Sequence, residues 1–439
     1  MPRAVHDALE AKTPLPKLHM DYTRRKAYRD VTSDPIITST VLYSLKDLIL
    51  SGGEEGLKRH PRTREIVTSA PNLRSLSLTR RWSDGCISGS GLWNIPFQPG
   101  DKMAPLEELV LVDYHSNERG KEPVRPWHDL QRIRLALGLA QPPAPKKSNI
   151  ELWIEAMDWS HLRALDVKAP TSHFFQTITG FTPRLKLLTV RDTYSWWTEY
   201  WRNPGNETLR AIESLILALP ANSLEEVVLD RFANRLEATV LGKHGSSLRK
   251  VVLHNRVDDV TVTAQYLHEL YAEIPDIREF GFDVAINGTW PEDIVRAVAR
   301  FPQLSRLEVW ATVPFNPYEI NMTPDTVSHL SVPDLYMATR PNYTEVRTKA
   351  AGDLLSQINE QKSGHKLEEL HVRYRMQANL TSYVYEEQLI GKSNFDVVDD
   401  GEGGVKVSSQ DKENWNRWLR GGLSNEEAAL ERMMDEMRM

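Results

Sequence analysis

The chain carries one cysteine, Cys86, in 439 residues. A single thiol excludes an internal disulfide and any zinc site built from several cysteines. Long apolar runs are absent too: no window approaches the roughly 20 apolar residues a membrane helix needs, so no membrane partner is expected. The opening stretch MPRAVHDALEAKTPLPKLHMDYTRRK has no apolar segment of the secretory kind, which points to the cytoplasm or nucleus. The Asn-x-Ser/Thr matches at Asn206, Asn287, Asn321, Asn342 and Asn379 then read as chance spellings. Charge of one sign is also missing. The formal net charge is -6, with 54 basic and 60 acidic side chains. This excludes a global pull toward nucleic acid or anionic lipid.

Catalytic signatures fail as well. There is no HExxH, no P-loop and no G-x-G-x-x-G. GCISGSG resembles a G-x-S-x-G elbow only in composition, because neither Ser88 nor Ser90 has glycines at both offsets. Asp396, Asp399, Asp400 and Glu402 lack the spacing of a calcium loop and read as part of an acidic, Gly-rich loop over 394–410. Cys86 has no nearby histidine, and His254 and His371 lie too many repeats apart to share a metal. No catalytic residue, cofactor or metal is expected.

What the chain does have is a triplet, Leu-x-x-Leu-x-Leu. Its clearest copies are Leu106/Leu109/Leu111, Leu224/Val227/Leu229 and Leu248/Val251/Leu253. Further copies begin at Leu45, Leu73, Leu162, Leu185, Ile277, Leu304, Val327 and Leu367, with a weaker match at Leu130 that equally reads as a helix face. Fourth and sixth positions two apart share one face of a strand. Downstream the period changes to 3.6: Ile212, Leu215, Ile216, Leu219 and Leu267, Leu270, Tyr271, Ile274 follow helical spacing. Ile294, Val298 and Phe301 do so behind Pro291, which suits a first helical turn. Leu219-Pro220, Ile274-Pro275 and Phe301-Pro302 stop those helices.

A unit this short cannot hide its own apolar face and must stack on copies of itself. Most starts lie near the 20–29 residue period of leucine-rich repeats, and longer units carry insertions. The expected fold is an α/β leucine-rich-repeat solenoid: a curved horseshoe with parallel strands on the concave face, helices on the convex face, and about 11–12 irregular repeats. Residues 1–40 are expected as a cap without repeats, 41–378 as the repeat domain, and 379–439 as the acidic loop and a capping helix. Ser424 and Glu427 spell a capping box for that helix, and Leu430, Met433, Met434 and Met437 form its stripe.

The third, fifth and seventh strand positions would face the concave side. They include Lys250 and His254; Glu279, Gly281 and Asp283; Arg306, Glu308 and Trp310; and Glu369, His371 and Arg373. Signs alternate along this row, which disfavours tracking of a phosphate backbone. Trp310 and Arg306 are residue types that dominate binding interfaces. The other reading is a solvated strand face whose tryptophan is covered by a neighbouring loop. A second candidate is the insertion holding Tyr194, Trp196, Trp197, Tyr200 and Trp201, either folded onto the rim or exposed as a partner patch. Trp93 and Phe97 are candidate anchors in a third insertion, 85–100.

The spellings APNLRSLSL, APLEELVLV, NSLEEVVL and HKLEELHV, with irregular units and aromatic insertions, resemble the repeat region of fungal F-box and leucine-rich-repeat proteins over about residues 40–375. The resemblance implies a non-catalytic substrate receptor of a cullin ubiquitin ligase, whose helical F-box holds a Skp1-like adaptor. An F-box is not evident: Leu15-Pro16 leads into KLHMDYTRRKAYRDV, which lacks spaced Ile and Leu. A stand-alone scaffold or inhibitor and a GTPase regulator remain as alternatives.

Overall fold

The computed structural model describes residues 8, 17–21, 41–51, 63–81, 94–112, 114, 147–169, 171–191, 206–230, 236–254, 261–286, 289–314, 343–377, 393–399 and 405–409. The chain divides into two compact units, Met1–Asp230 and Arg231–Met439.

In the first unit seven strands follow one another, each parallel to the next. They are β1 Leu18–Asp21, β2 Leu42–Ser51, β3 Ser75–Arg81, β4 Glu108–Val112, β5 Ala164–Lys168, β6 Leu187–Arg191 and β7 Glu226–Asp230. Helices α1 Asn149–Ala156, α2 Ser172–Ile178 and α3 Asn206–Ala218 lie in the connections. Their starts follow local chemistry. Ser148 and Glu151 form a capping box on α1, and the Thr171 hydroxyl accepts from the Phe174 N–H at the start of α2.

The second unit holds α4 Ala238–Gly242, β8 Lys250–His254, α5 Ala264–Glu273, β9 Glu279–Ala285, α6 Glu292–Ala299, β10 Arg306–Pro314, α7 Tyr343–Gln361 and β11 Glu369–Gln377. Strands β8 to β11 are parallel. An antiparallel hairpin, β12 Ser393–Asp399 and β13 Val405–Ser409, then extends the sheet from β11. Pro291 sits at the N-cap of α6, one place before the first turn.

The triplets are the core. First, fourth and sixth positions are buried in unit after unit, as at Leu73/Leu76/Leu78, Leu162/Leu165/Val167, Ile277/Phe280/Phe282 and Leu367/Leu370/Val372. Cross-strand register aligns like with like: Leu109 meets Leu165, Leu188 meets Val227, and Phe280 meets Leu307. A parallel sheet covered by helices on both faces reads as a continuous apolar run. These strands alternate instead, so one face packs on helices and the other is open. Parallel strands in chain order, with helices in the connections from β4 onward, define an α/β leucine-rich-repeat solenoid.

Within residues 1–40, expected as a cap, Leu18–Asp21 form the strand β1. Other expectations are corrected. The first full rung uses Leu42 and Leu45: Leu45 pairs with Leu76 and Leu48 with Leu78 across a bulge, so the unit begins three residues before Leu45. Strand β4 pairs directly with β5, and β10 with β11; the triplets at Leu130 and Val327 lie outside the described residues. The segment read as an acidic loop forms β12 and β13. Phe97 is buried edge-on against Trp153, with ring centroids 5.1 Å apart, and is core rather than an anchor for a partner. Trp93, the capping box at Ser424 and the stripe to Met437 lie outside the described residues.

The turn from α7 into β11 carries a titratable group. Lys362 Nζ donates to the carbonyls of Pro302 and His365, and burial pushes its ammonium down to about 8 from the ordinary 10.5. The unfolded chain therefore holds more protons than the folded one between about pH 8 and 10.5, and stability gains with rising pH across that window. Compared with Lys362→Met, the wild type is expected to gain unfolding free energy from pH 8 upward in urea melts. Parallel pH profiles for the two proteins would contradict the burial of this ammonium.

Candidate strand-face site

The open face of the second unit is assembled by strand register. Positions in parallel strands stack about 4.8 Å apart. One row therefore runs Lys250, Glu279, Arg306, Glu369; the next Val252, Gly281, Glu308, His371. In the third, Trp310 faces Asp283 on one side and Arg373 on the other, and His254 occupies the same position of β8.

The first row is an alternating ion ladder. Lys250 Nζ lies 3.3 Å from Glu279, and Arg306 lies 3.7 Å from Glu279 while hydrogen-bonding Glu369. The Arg306 guanidinium is held protonated more firmly than usual, chiefly by that hydrogen bond to Glu369. Between rows, Arg373 of the third reaches Glu308 of the second at 2.6 Å, and His371 of the second lies 3.5 Å from Glu369 of the first. Cation and anion thus neutralise each other within the sheet. Exposed pairs of this kind add little stability and are screened by salt; what they do is fix the orientation of long side chains.

The third row is built around Trp310. Its ring stacks on His254 with centroids 4.1 Å apart and planes 15° apart. The imidazole Nδ1 lies 3.0 and 3.1 Å from the two oxygens of Asp283. A carboxylate only accepts, so the proton sits on Nδ1. Asp283 is 2% exposed and His254 8%. On β9, the strand between the two rings, Gly281 lies one outward position before Asp283, and a Cβ there would lie 3.1 Å from both the Trp310 ring and Val252. Glycine inside a strand here marks close approach of an aromatic ring. Arg373 sits 5.8 Å from the Trp310 centroid, within cation–π range. Trp310 stays half-buried. Among the described residues it is held by side chains of the neighbouring strands.

All nine expected strand-face residues, Lys250, His254, Glu279, Asp283, Arg306, Glu308, Trp310, His371 and Arg373, thus lie on four successive strands in two sets of contacts, one running from Lys250 to His371 and one centred on Trp310. Tyr194, Trp196, Trp197, Tyr200 and Trp201 lie outside the described residues. On the first unit the sequence reading passed over Asp166 and Arg191, whose side chains meet at 3.0 Å. Burial raises the Asp166 carboxyl above its usual range, with Arg191 and Lys168 acting the other way. Alternation of Leu165 and Val167 about Asp166 was the signal that could have placed it on the open face. Among the described residues no group of three or more His, Cys, Asp or Glu side chains could hold a metal, and no helix is long and apolar enough to cross a membrane.

The fold and the open strand face together define a leucine-rich-repeat protein with a side-chain platform on its parallel strands. No family model matches the chain, and no curated protein matches it. Among solved structures it is similar to the leucine-rich repeat-containing protein LegL7 from Legionella pneumophila, at 13% identity over 83% of this chain and 86% of that chain, with a TM-score of 0.34.

Proposed function

We propose that the chain is a non-catalytic protein-interaction platform, working in the cytoplasm or nucleus, whose partner docks on the open strand face of the second unit. The observation that carries this reading is the Trp310 stack. A large aromatic ring is oriented in advance by His254 and Gly281, so little rotamer freedom is lost on binding. The surrounding ion pairs offer no net charge of one sign, which fits a protein surface and not a polyanion.

The finer reading makes this face the substrate-receptor part of an F-box type ubiquitin ligase subunit, with a Skp1-like adaptor as second partner. One observation favours the stand-alone scaffold or inhibitor instead. Behind Leu15-Pro16, where an F-box would continue in helices, residues Leu18–Asp21 form a strand parallel to β2.

Affinity purification with mass spectrometry tests both. A partner that binds through this face is expected to be depleted at least about ten-fold in a Trp310→Ala, Arg306→Ala variant of unchanged melting temperature, as for central aromatic and arginine anchors. Prey identical to wild type would remove the strand face from consideration. Recovery of a Skp1-like adaptor with both proteins would support the ligase version, and its absence beside another specific prey the scaffold.

A further inference from the structure

A second feature, in the first unit, is independent of the strand-face reading. An open depression of about 350 Å³ is lined by Arg163, Arg184, Lys186, Asn222, Ser223 and Glu225. Arg163, Lys186 and Glu225 are the second residues of three successive repeats. Their backbones form a ladder: the Lys186 N–H donates to the Arg163 carbonyl, and the Glu225 N–H to the Lys186 carbonyl, each at 2.8 Å. Repetition therefore brings the three side chains to the same end of adjacent strands. Arg184 joins them from the turn before β6. Asn222 joins from the turn before β7, where its φ of 58° is a conformation Asn tolerates better than most residues.

The charges do not cancel. Glu225 pairs with Lys186 at 2.6 Å. Among the described residues Arg163 has no ion pair. Arg184 meets only the field of Asp158, a carboxylate whose pKa is lowered mainly by its hydrogen bonds to Ser160. Three cations against one anion leave the lining at +2. Two guanidinium groups supply planar forks suited to paired oxygens, and Asn222 and Ser223 add neutral hydrogen-bonding groups.

We propose that this depression binds a phosphomonoester dianion. Such a group carries about -1.5 to -2 at neutral pH and several strong acceptor oxygens, which match the excess charge and the donors. A carboxylate would leave one cation unmatched. The group can arrive as a small phosphorylated molecule or on a phosphorylated side chain, and the chemistry of capture is the same.

Isothermal titration of the full chain with inorganic phosphate, with acetate, and with a phosphoserine peptide beside its unphosphorylated form tests the assignment. Inorganic phosphate, the phosphopeptide or both are expected to bind at least ten-fold tighter than acetate and the unmodified peptide. That affinity should fall at least ten-fold in Arg163→Gln, Arg184→Gln without a change in melting temperature. Arg184→Lys should recover only part of the loss suffered by Arg184→Gln, since it restores charge but not the fork. Binding of inorganic phosphate alone would make a small phosphorylated molecule the source; binding of the phosphopeptide alone would make it a modified protein. Equal affinity for acetate and phosphate, or unchanged affinity in the double variant, would overturn the site.

Discussion

Leu253→Asp is expected to destabilise the second unit by about 4 kcal/mol or more, a large share of a typical domain's stability of about 5–15 kcal/mol. Leu253 is fully buried at the sixth position of its rung, in register with Phe282. The substitution removes roughly 1.5–3 kcal/mol of apolar burial. It also puts a carboxylate where neither water nor a cation can reach, so the group must either protonate or drag the strand outward. Leu229→Asp should act in the same way on the first unit, where Leu229 pairs with Val190 inside the ladder. Glu225→Ala, by contrast, breaks only its exposed ion pair with Lys186 and should cost under about 1 kcal/mol. Urea melts followed by circular dichroism distinguish these cases. Equal midpoints for the Leu229→Asp and Glu225→Ala proteins would mean that the triplets do not face inward.

The ladder could be read from residues alone because its signal is redundant. Leu106, Leu109 and Leu111 combine two spacings that only a rung explains, and the next copies repeat them. Where that redundancy weakens, the reading slips. In LYSLKDLILS, leucines at 42, 45, 48 and 50 allow two overlapping triplets. The bulge that places Leu48 opposite Leu78 is a backbone event with no side-chain signature. The short β1 offers only Leu18 and Met20 around His19, too little to stand out. Val327 and Leu130 fit the spelling, but a sequence does not reveal which strands pair directly. The hairpin β12–β13 did leave a trace, since Asn394–Val398 and Val405–Val407 alternate on either side of the turn-forming DGEGG. Acidity drew the reading toward a loop.

The strand face was legible by position but not by partner. Register follows from the repeat, so the outward residues could be named. Their pairings connect side chains far apart in sequence, such as Arg306 with Glu369, 63 residues on. No local pattern encodes which cation meets which anion. The Trp310 stack on His254 required a gap in the strand between, and Gly281 at an outward position was the one clue to it.

Gly364→Ala is the other change expected to act strongly, at about 3 kcal/mol, although Gly364 is exposed and the substitution adds a single methyl group. The turn from α7 into β11 is pressed onto Pro302. A Cβ at Gly364 would penetrate the Pro302 carbonyl oxygen and lie 2.7 Å from its Cα and 2.8 Å from its carbonyl carbon. These are backbone atoms, so no side chain can swing aside. The same carbonyl accepts from the His365 N–H at 2.8 Å and from Lys362 Nζ at 3.2 Å. Moving it loosens both bonds. Asn359 then loses its hold on Leu367, whose N–H it accepts at 2.7 Å and whose carbonyl it donates to at 3.1 Å. Leu367 is the first residue of the last parallel rung, so the strain propagates into the pairing of β11 with β10. Ser363→Ala, one residue earlier and exposed, serves as the control and should stay within about 0.5 kcal/mol of wild type. Hydrogen exchange should show β11 amides opening faster in Gly364→Ala, with the ladder of the first unit unaffected. Similar melting temperatures for the two variants would show that Pro302 leaves room for a side chain at 364, and that this turn does not set the register of β11.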